Sequence, residues 1–173
     1  MVITKEISLY ELLFLTFSIV GGFFALFQWR QTYKLKRAEF LKEAQVKIRE
    51  NKEFASVLYE IDYGVEWYTQ DFIEDHSKEQ MFDEVFAFFD YLCYLKNRNF
   101  LRDDEFRVFK YRIRRMACNQ SFLDYFFNLY HFTKRNSTDF SFYNLLQYLK
   151  DNNLLDADFW DKNSKQYRKL LNF

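Results

Sequence analysis

Residues 12 to 29, LLFLTFSIVGGFFALFQW, run for 18 positions without a charged side chain. Only a helix lets a single segment of this kind satisfy its own backbone hydrogen bonds inside a bilayer. At about 1.5 Å per residue the run measures about 27 Å, close to the roughly 30 Å of a hydrocarbon core. Tyr10 and Trp29 stand near its ends, where interfacial aromatic rings are enriched. Lys5 is the only basic side chain before the run, whereas Arg30, Lys34, Lys36 and Arg37 come directly after it. Under the positive-inside bias this layout places the N-terminus outside and the remainder in the cytoplasm. A cleaved signal peptide fits less well, because its basic flank would come first and no small-residue cleavage pattern succeeds the run.

The chain beyond this run has to fold almost without turn residues. Pro is absent and Gly64 is the only glycine after Gly21 and Gly22. Sheets need Gly- and Pro-type turns, while helices joined by short polar connections need few. The expectation is an all-α protein, with residues 1–30 as a short tail and transmembrane helix and residues 31–173 as a cytoplasmic helical bundle. The first helix is expected to run on through RQTYKLKRAEFLKEAQVKIR. Apolar spacing at i, i+3, i+4 and i+7 predicts further helices over about 52–63, 77–97, 104–117, 121–134, 141–151 and 157–171, with a short helical piece in 65–76. Gly64 is expected to end the first of these, and Ser77 with Gln80 to form a capping box. Asp103, Ser121 and Ser141 are expected to open the helices next to them. Phe82, Val85, Phe86, Phe89, Leu92 and Cys93 form the expected inner face of the central helix, and Phe106, Phe109, Ile113 and Met116 that of the next.

Zero net charge conceals blocks. Residues 51–106 carry 5 Lys/Arg against 14 Asp/Glu, and residues 107–135 carry 7 against 1. A net basic domain, the footprint of a general nucleic-acid binder, is missing. The blocks suit pairing of acidic with basic surface, within one chain or between copies. Arg107, Lys110, Arg112, Arg114 and Arg115 form the basic interface; most such runs are solvated faces or partners of acids, and contact with RNA phosphate is the other reading. Cys93 and Cys118 read as buried, reduced core residues. His76 falls in an expected loop and His131 in the aromatic run FFNLYHF, where a packed or surface histidine is the simpler reading. No metal-ligand spacing, nucleophile elbow or phosphate loop occurs, so no cofactor, metal or catalytic residue is assigned and a non-enzyme is expected.

The membrane segment has two unlike faces. At about 100° per residue, Ser8, Glu11, Leu15, Ser18, Gly22 and Ala25 fall within a sector of about 100°, opposite Leu13, Phe17, Val20, Phe23, Phe24 and Phe27. Small residues let helix backbones approach, and Ser18 with Gly22 is a small-xxx-small pair. This predicts association along the small stripe, either around a water-filled centre or in a close dimer. Glu11 alone also fits a carboxylate reaching headgroup water. Arg30, Lys34 and Arg37 share one helix face beyond the run, as a collar for anionic lipid or the mouth of a conduit.

The short chain, the span LLFLTFSIVGGFFALFQW, the basic exit WRQTYKLKR and the Phe/Tyr/Asn/Lys-rich helical remainder together resemble the small membrane accessory proteins of type VI-B CRISPR systems. That resemblance implies a HEPN-like helical protein of the bacterial inner membrane. It implies homo-oligomeric rings that form a depolarising pore in antiphage defence, functionally linked to an RNA-targeting effector. HEPN ribonucleases carry an Arg and then a His after four to six intervening residues; neither His76 nor His131 has such an Arg, which departs from an active nuclease. The alternatives are a membrane-tethered interaction module without a channel and a HEPN-like ribonuclease.

Overall fold

The computed structural model describes residues 9–171. Ser8 lies outside the described residues. Seven α-helices occur among them, with no strand: α1 Leu9–Glu50, α2 Lys52–Asp62, α3 Gln70–Glu74, α4 His76–Asn97, α5 Asp103–Ala117, α6 Gln120–Arg135 and α7 Tyr143–Asp151, then a 3₁₀ turn Ala157–Trp160. The all-α expectation holds. The chain divides into two compact units, Met1–Val46 and Lys47–Phe173.

Helix α1 is continuous over 42 residues because nothing from Leu9 to Glu50 breaks a helix beyond the adjacent Gly21 and Gly22. It carries the whole charge-free run. That stretch is long and apolar enough to cross a membrane, and none of its 18-residue apolar window is buried.

In the second unit α4 is the central helix and packs against α2, α3, α5 and α7. Phe82, Val85, Phe86, Phe89, Leu92 and Cys93 are all buried on it, as the spacing predicts. Trp67, in the segment before α3, lies with its ring centroid 4.2 Å from that of Phe82. Phe122 and Phe126 of α6 lie 4.1 Å apart, against Phe86 at 5.2 and 5.5 Å. Each fully buried ring contributes roughly 2–3 kcal/mol of transfer free energy, so aromatic packing dominates this core.

Helix α2 starts at Lys52 as expected, while the starts of α4, α5, α6 and α7 differ from expectation by one or two residues, for a common reason. At each start the side chain in capping position belongs to another residue than the one the spacing suggests. Asp75 Oδ1 accepts from the N–H groups of Ser77 and Lys78 at 3.1 Å each, so Ser77 is inside α4 and forms no capping box. Asn119 Oδ1 caps α6 through Phe122 N–H at 2.9 Å, and the expected cap Ser121 instead accepts from Trp67 N–H with its hydroxyl, at 3.2 Å. Asp103 is the first residue of α5 and not its cap; its carboxylate meets Lys96 Nζ at 2.6 Å. Ser141 does not open α7, which starts at Tyr143 with Phe142 at the cap position. The missing cap comes from α4, where Asp90 Oδ1 accepts from Leu145 N–H at 2.8 Å and Oδ2 from Asn144 Nδ2 at 2.9 Å.

The expected helix over 157–171 is replaced by the short 3₁₀ turn and a non-helical tail. The tail's backbone is bound by polar side chains of α6. Asn128 Oδ1 accepts from the N–H groups of Leu170 and Leu171 at 2.9 and 3.0 Å, and Asp124 Oδ1 accepts from Arg168 N–H at 3.1 Å. These contacts supply from outside what an intrahelical ladder would supply from within. Cys118 also departs from expectation. It caps the C-terminus of α5 and is exposed, whereas Cys93 is buried as expected.

Candidate functional site

The sequence singles out two sites, the face of α1 and the face of α5. Because α1 is a regular helix, Glu11, Leu15, Ser18, Gly22 and Ala25 share one face, and all five are exposed. A methyl added at Gly21 or Gly22 would meet nothing within 4 Å. The Thr16 hydroxyl donates to Leu12 O at 2.5 Å, so its polarity is satisfied within the helix. The opposite side is ring-rich, with Phe17 74% and Phe23 70% exposed.

Two features sharpen the stripe. On a helical wheel with Ser18 at 0°, Leu26 and Trp29 fall at about 80° and 20°, inside the small-residue sector. The small, polar character therefore runs from Glu11 to Ala25 and ends in large side chains, with Trp29 stacked on Tyr33 at 6.1 Å. The basic set Arg30, Lys34 and Arg37 falls at about 100–160°, roughly a quarter turn or more from the stripe's centre, whereas Lys36 falls at about 0°. The basic triplet and the small stripe are thus different faces of α1.

On α5 the five basic residues separate by environment. Arg112 Nη1 and Arg115 Nε both reach the Asp62 carboxylate at the end of α2, and Arg115 Nη2 also donates to Asp62 O. Part of the acidic-to-basic pairing expected from the charge blocks is thus made inside one chain. Arg107 and Lys110 border a cleft of about 460 Å³ with Lys96, Asp103, Phe106, Tyr148 and Asp151. Arg107 and Arg114 are exposed, and neither meets a carboxylate within ion-pair distance among the described residues.

Neither histidine forms a constellation. His131 is buried, with Nε2 3.0 Å from Phe159 O and its ring 4.4 Å from that of Phe127. Burial pulls its pKa below the usual imidazole value, against the opposing pull of the Phe159 carbonyl. Among the described residues no group of three or more His, Cys, Asp or Glu side chains could hold a metal ion.

Sequence reasoning missed the polar spine of α6. Asp124 and Asn128 sit on the buried side of LDYFFNLYHF and hold the C-terminal tail. Tyr125 OH donates to Asp83 Oδ1 of α4 at 2.6 Å. Burial raises the pKa of both Asp83 and Asp124, against the hydrogen bonds they accept. Polar residues recurring at four-residue spacing inside an aromatic helix were the available signal.

Comparison with protein-family models, with curated proteins and with solved structures finds no match for this chain.

Proposed function

We infer that this chain is a single-pass membrane protein whose α1 helices gather along the Glu11–Ala25 stripe into a pore, with the α2–α7 unit in the cytoplasm. The observation that carries this reading is the fully exposed apolar window of α1 joined to its two-faced composition. An exposed apolar helix of this length needs a bilayer, and lipid alone gives no reason for one stripe to be small and polar. Gathered copies would turn Phe17, Phe23, Phe24 and Phe27 to lipid and Glu11 with Ser18 to the centre. A ring of carboxylates there favours cations. The basic residues after Trp29 support a cytoplasmic second unit.

The biological setting rests on the resemblance to type VI-B accessory proteins. There the pore would open in the bacterial inner membrane during antiphage defence and dissipate the membrane potential. Purified protein in liposomes should release a trapped cation, and Glu11→Ala should lower the preference for cations over anions. Ser18→Leu should reduce flux by filling the stripe. Liposomes that stay sealed while containing inserted, folded protein, alone and with an activated RNA-targeting effector, would refute the pore.

The tether without a channel has an observation in its favour. Leu15, Leu26 and Trp29 lie on the same face as the small residues, and a dry helix pair could use them. Replacing residues 9–29 by an unrelated single span separates the readings, since only the tether keeps its function.

A further inference from the structure

Residues 107 to 118 contain no acidic side chain, and this stretch of α5 presents Arg107, Tyr111 and Arg114 to solvent at i, i+4 and i+7. Such a spacing puts the three on one helix face, over about 10 Å of axis. Tyr111 is 59% exposed. Its ring has one cationic neighbour already: Arg112 Cζ lies 5.8 Å from the ring centroid. Arg112 in turn is fixed by Asp62, so the ring rests against a guanidinium that is itself anchored. Arg115 grips the same carboxylate and joins α5 to α2, with which it packs. Two more exposed rings flank Asp62 in the chain, Tyr59 within α2 and Tyr63 at its C-cap. They are 61% and 78% exposed and stack on each other at 6.0 Å with an interplanar angle of 17°.

We propose that this α2–α5 face is a binding surface for single-stranded nucleic acid, with Tyr111 as the base-stacking platform and Arg107 and Arg114 as phosphate contacts. Three elementary facts select this ligand. Two arginines without carboxylate partners call for an anion. The planar exposed ring of Tyr111 between them on the same helix face calls for an anion that bears flat π-systems, and every base offers such a face. A positive strip about 10 Å long suits a chain of phosphates better than one isolated anion. An anionic lipid surface would use the same cations but would also need apolar side chains to insert, and Val108 is the one exposed aliphatic residue of α5. The surface is local, so it coexists with a net charge of zero. It does not depend on the pore reading.

The test is fluorescence anisotropy of a labelled 20-nucleotide single-stranded RNA, and of the matching DNA, with the full-length protein in neutral detergent. Binding should weaken steeply with salt. Tyr111→Ala should weaken it about 10-fold, while Tyr111→Phe keeps most of it. Arg107→Ala and Arg114→Ala should each weaken binding and lower the salt slope by about 1. Tyr143→Ala, an exposed ring on α7, serves as the control and should change nothing. All these side chains are exposed, so the variants should keep the wild-type thermal transition. Absence of binding at low salt, equal loss in the Tyr143 control, or indifference to Tyr111→Ala would overturn the proposal. So would binding to anionic vesicles of phosphatidylglycerol with none to the oligonucleotides.

Discussion

Asn99, Ser137 and Asn153 each hold φ between 52° and 58°, the left-handed region that glycine enters with least strain. Each closes a helix in the same way. After α6, for example, Thr138 N–H donates to Thr133 O and Ser137 N–H to Lys134 O. This is the paired closure that glycine usually provides; Gly64, at φ 67°, provides it after α2. A chain with one glycine beyond its first helix has to use other residues, and serine is the worst suited of the three. Ser137→Gly should therefore raise stability by about 0.5–1 kcal/mol, with a smaller gain for Asn99→Gly. The denaturant midpoint in detergent measures this, and a loss at Ser137 would mean the cap is not left-handed. His131 gives a pH signature. Its folded-state pKa is depressed by burial, so protonation is opposed by the fold. Its contribution is complete above the unfolded value near 6.5 and is lost as pH falls through the folded value. His131→Gln should flatten the stability profile below about pH 6.5; an unchanged slope would place its origin elsewhere.

Helix α7 has no side-chain cap of its own and takes one from Asp90 of α4. Asp90→Ala should cost about 1–2 kcal/mol, read from the denaturant midpoint, while a typical exposed substitution such as Glu84→Ala should cost under about 0.5 kcal/mol. The tail depends on α6 in the same manner. Asn128→Leu removes two acceptor contacts, and backbone exchange at Leu170 and Leu171 should rise by at least tenfold, with α4 protected as before. These cross-element contacts mark where the sequence stops being readable. The inner face of α4 was legible because one period persists through Phe82, Val85, Phe86, Phe89, Leu92 and Cys93. The start of α4 was not, because Asp75 and Ser77 both qualify chemically and only three-dimensional position chooses between them. The final helix was misread because Phe159, Trp160, Tyr167 and Leu170 meet a helical spacing that a non-helical strap satisfies equally. The Asp62 clasp on Arg112 and Arg115 needed the relative placement of α2 and α5, which no single-element pattern contains.

At the scale of the whole chain, the charge blocks cancel partly through internal pairs. Asp62 of the acidic block takes Arg112 and Arg115 of the basic one, whereas Lys96 with Asp103 and Lys78 with Glu60 pair inside the acidic block. The second unit thus has a core and ion pairs of its own, whereas the apolar window of α1 buries nothing within the chain. In the proposed pore that exposed window would meet lipid on one face and sister helices on the other. Substituted cysteines along α1 test this most directly, placed in a background with Cys93 and Cys118 replaced and read in intact liposomes. Cysteines at Leu15, Ser18 and Gly22 should react with a water-soluble maleimide and form disulfides between copies, while those at Leu13, Phe17 and Phe24 should do neither. Equal protection at all six positions, or cross-linking through the aromatic face, would contradict a pore lined by the small stripe.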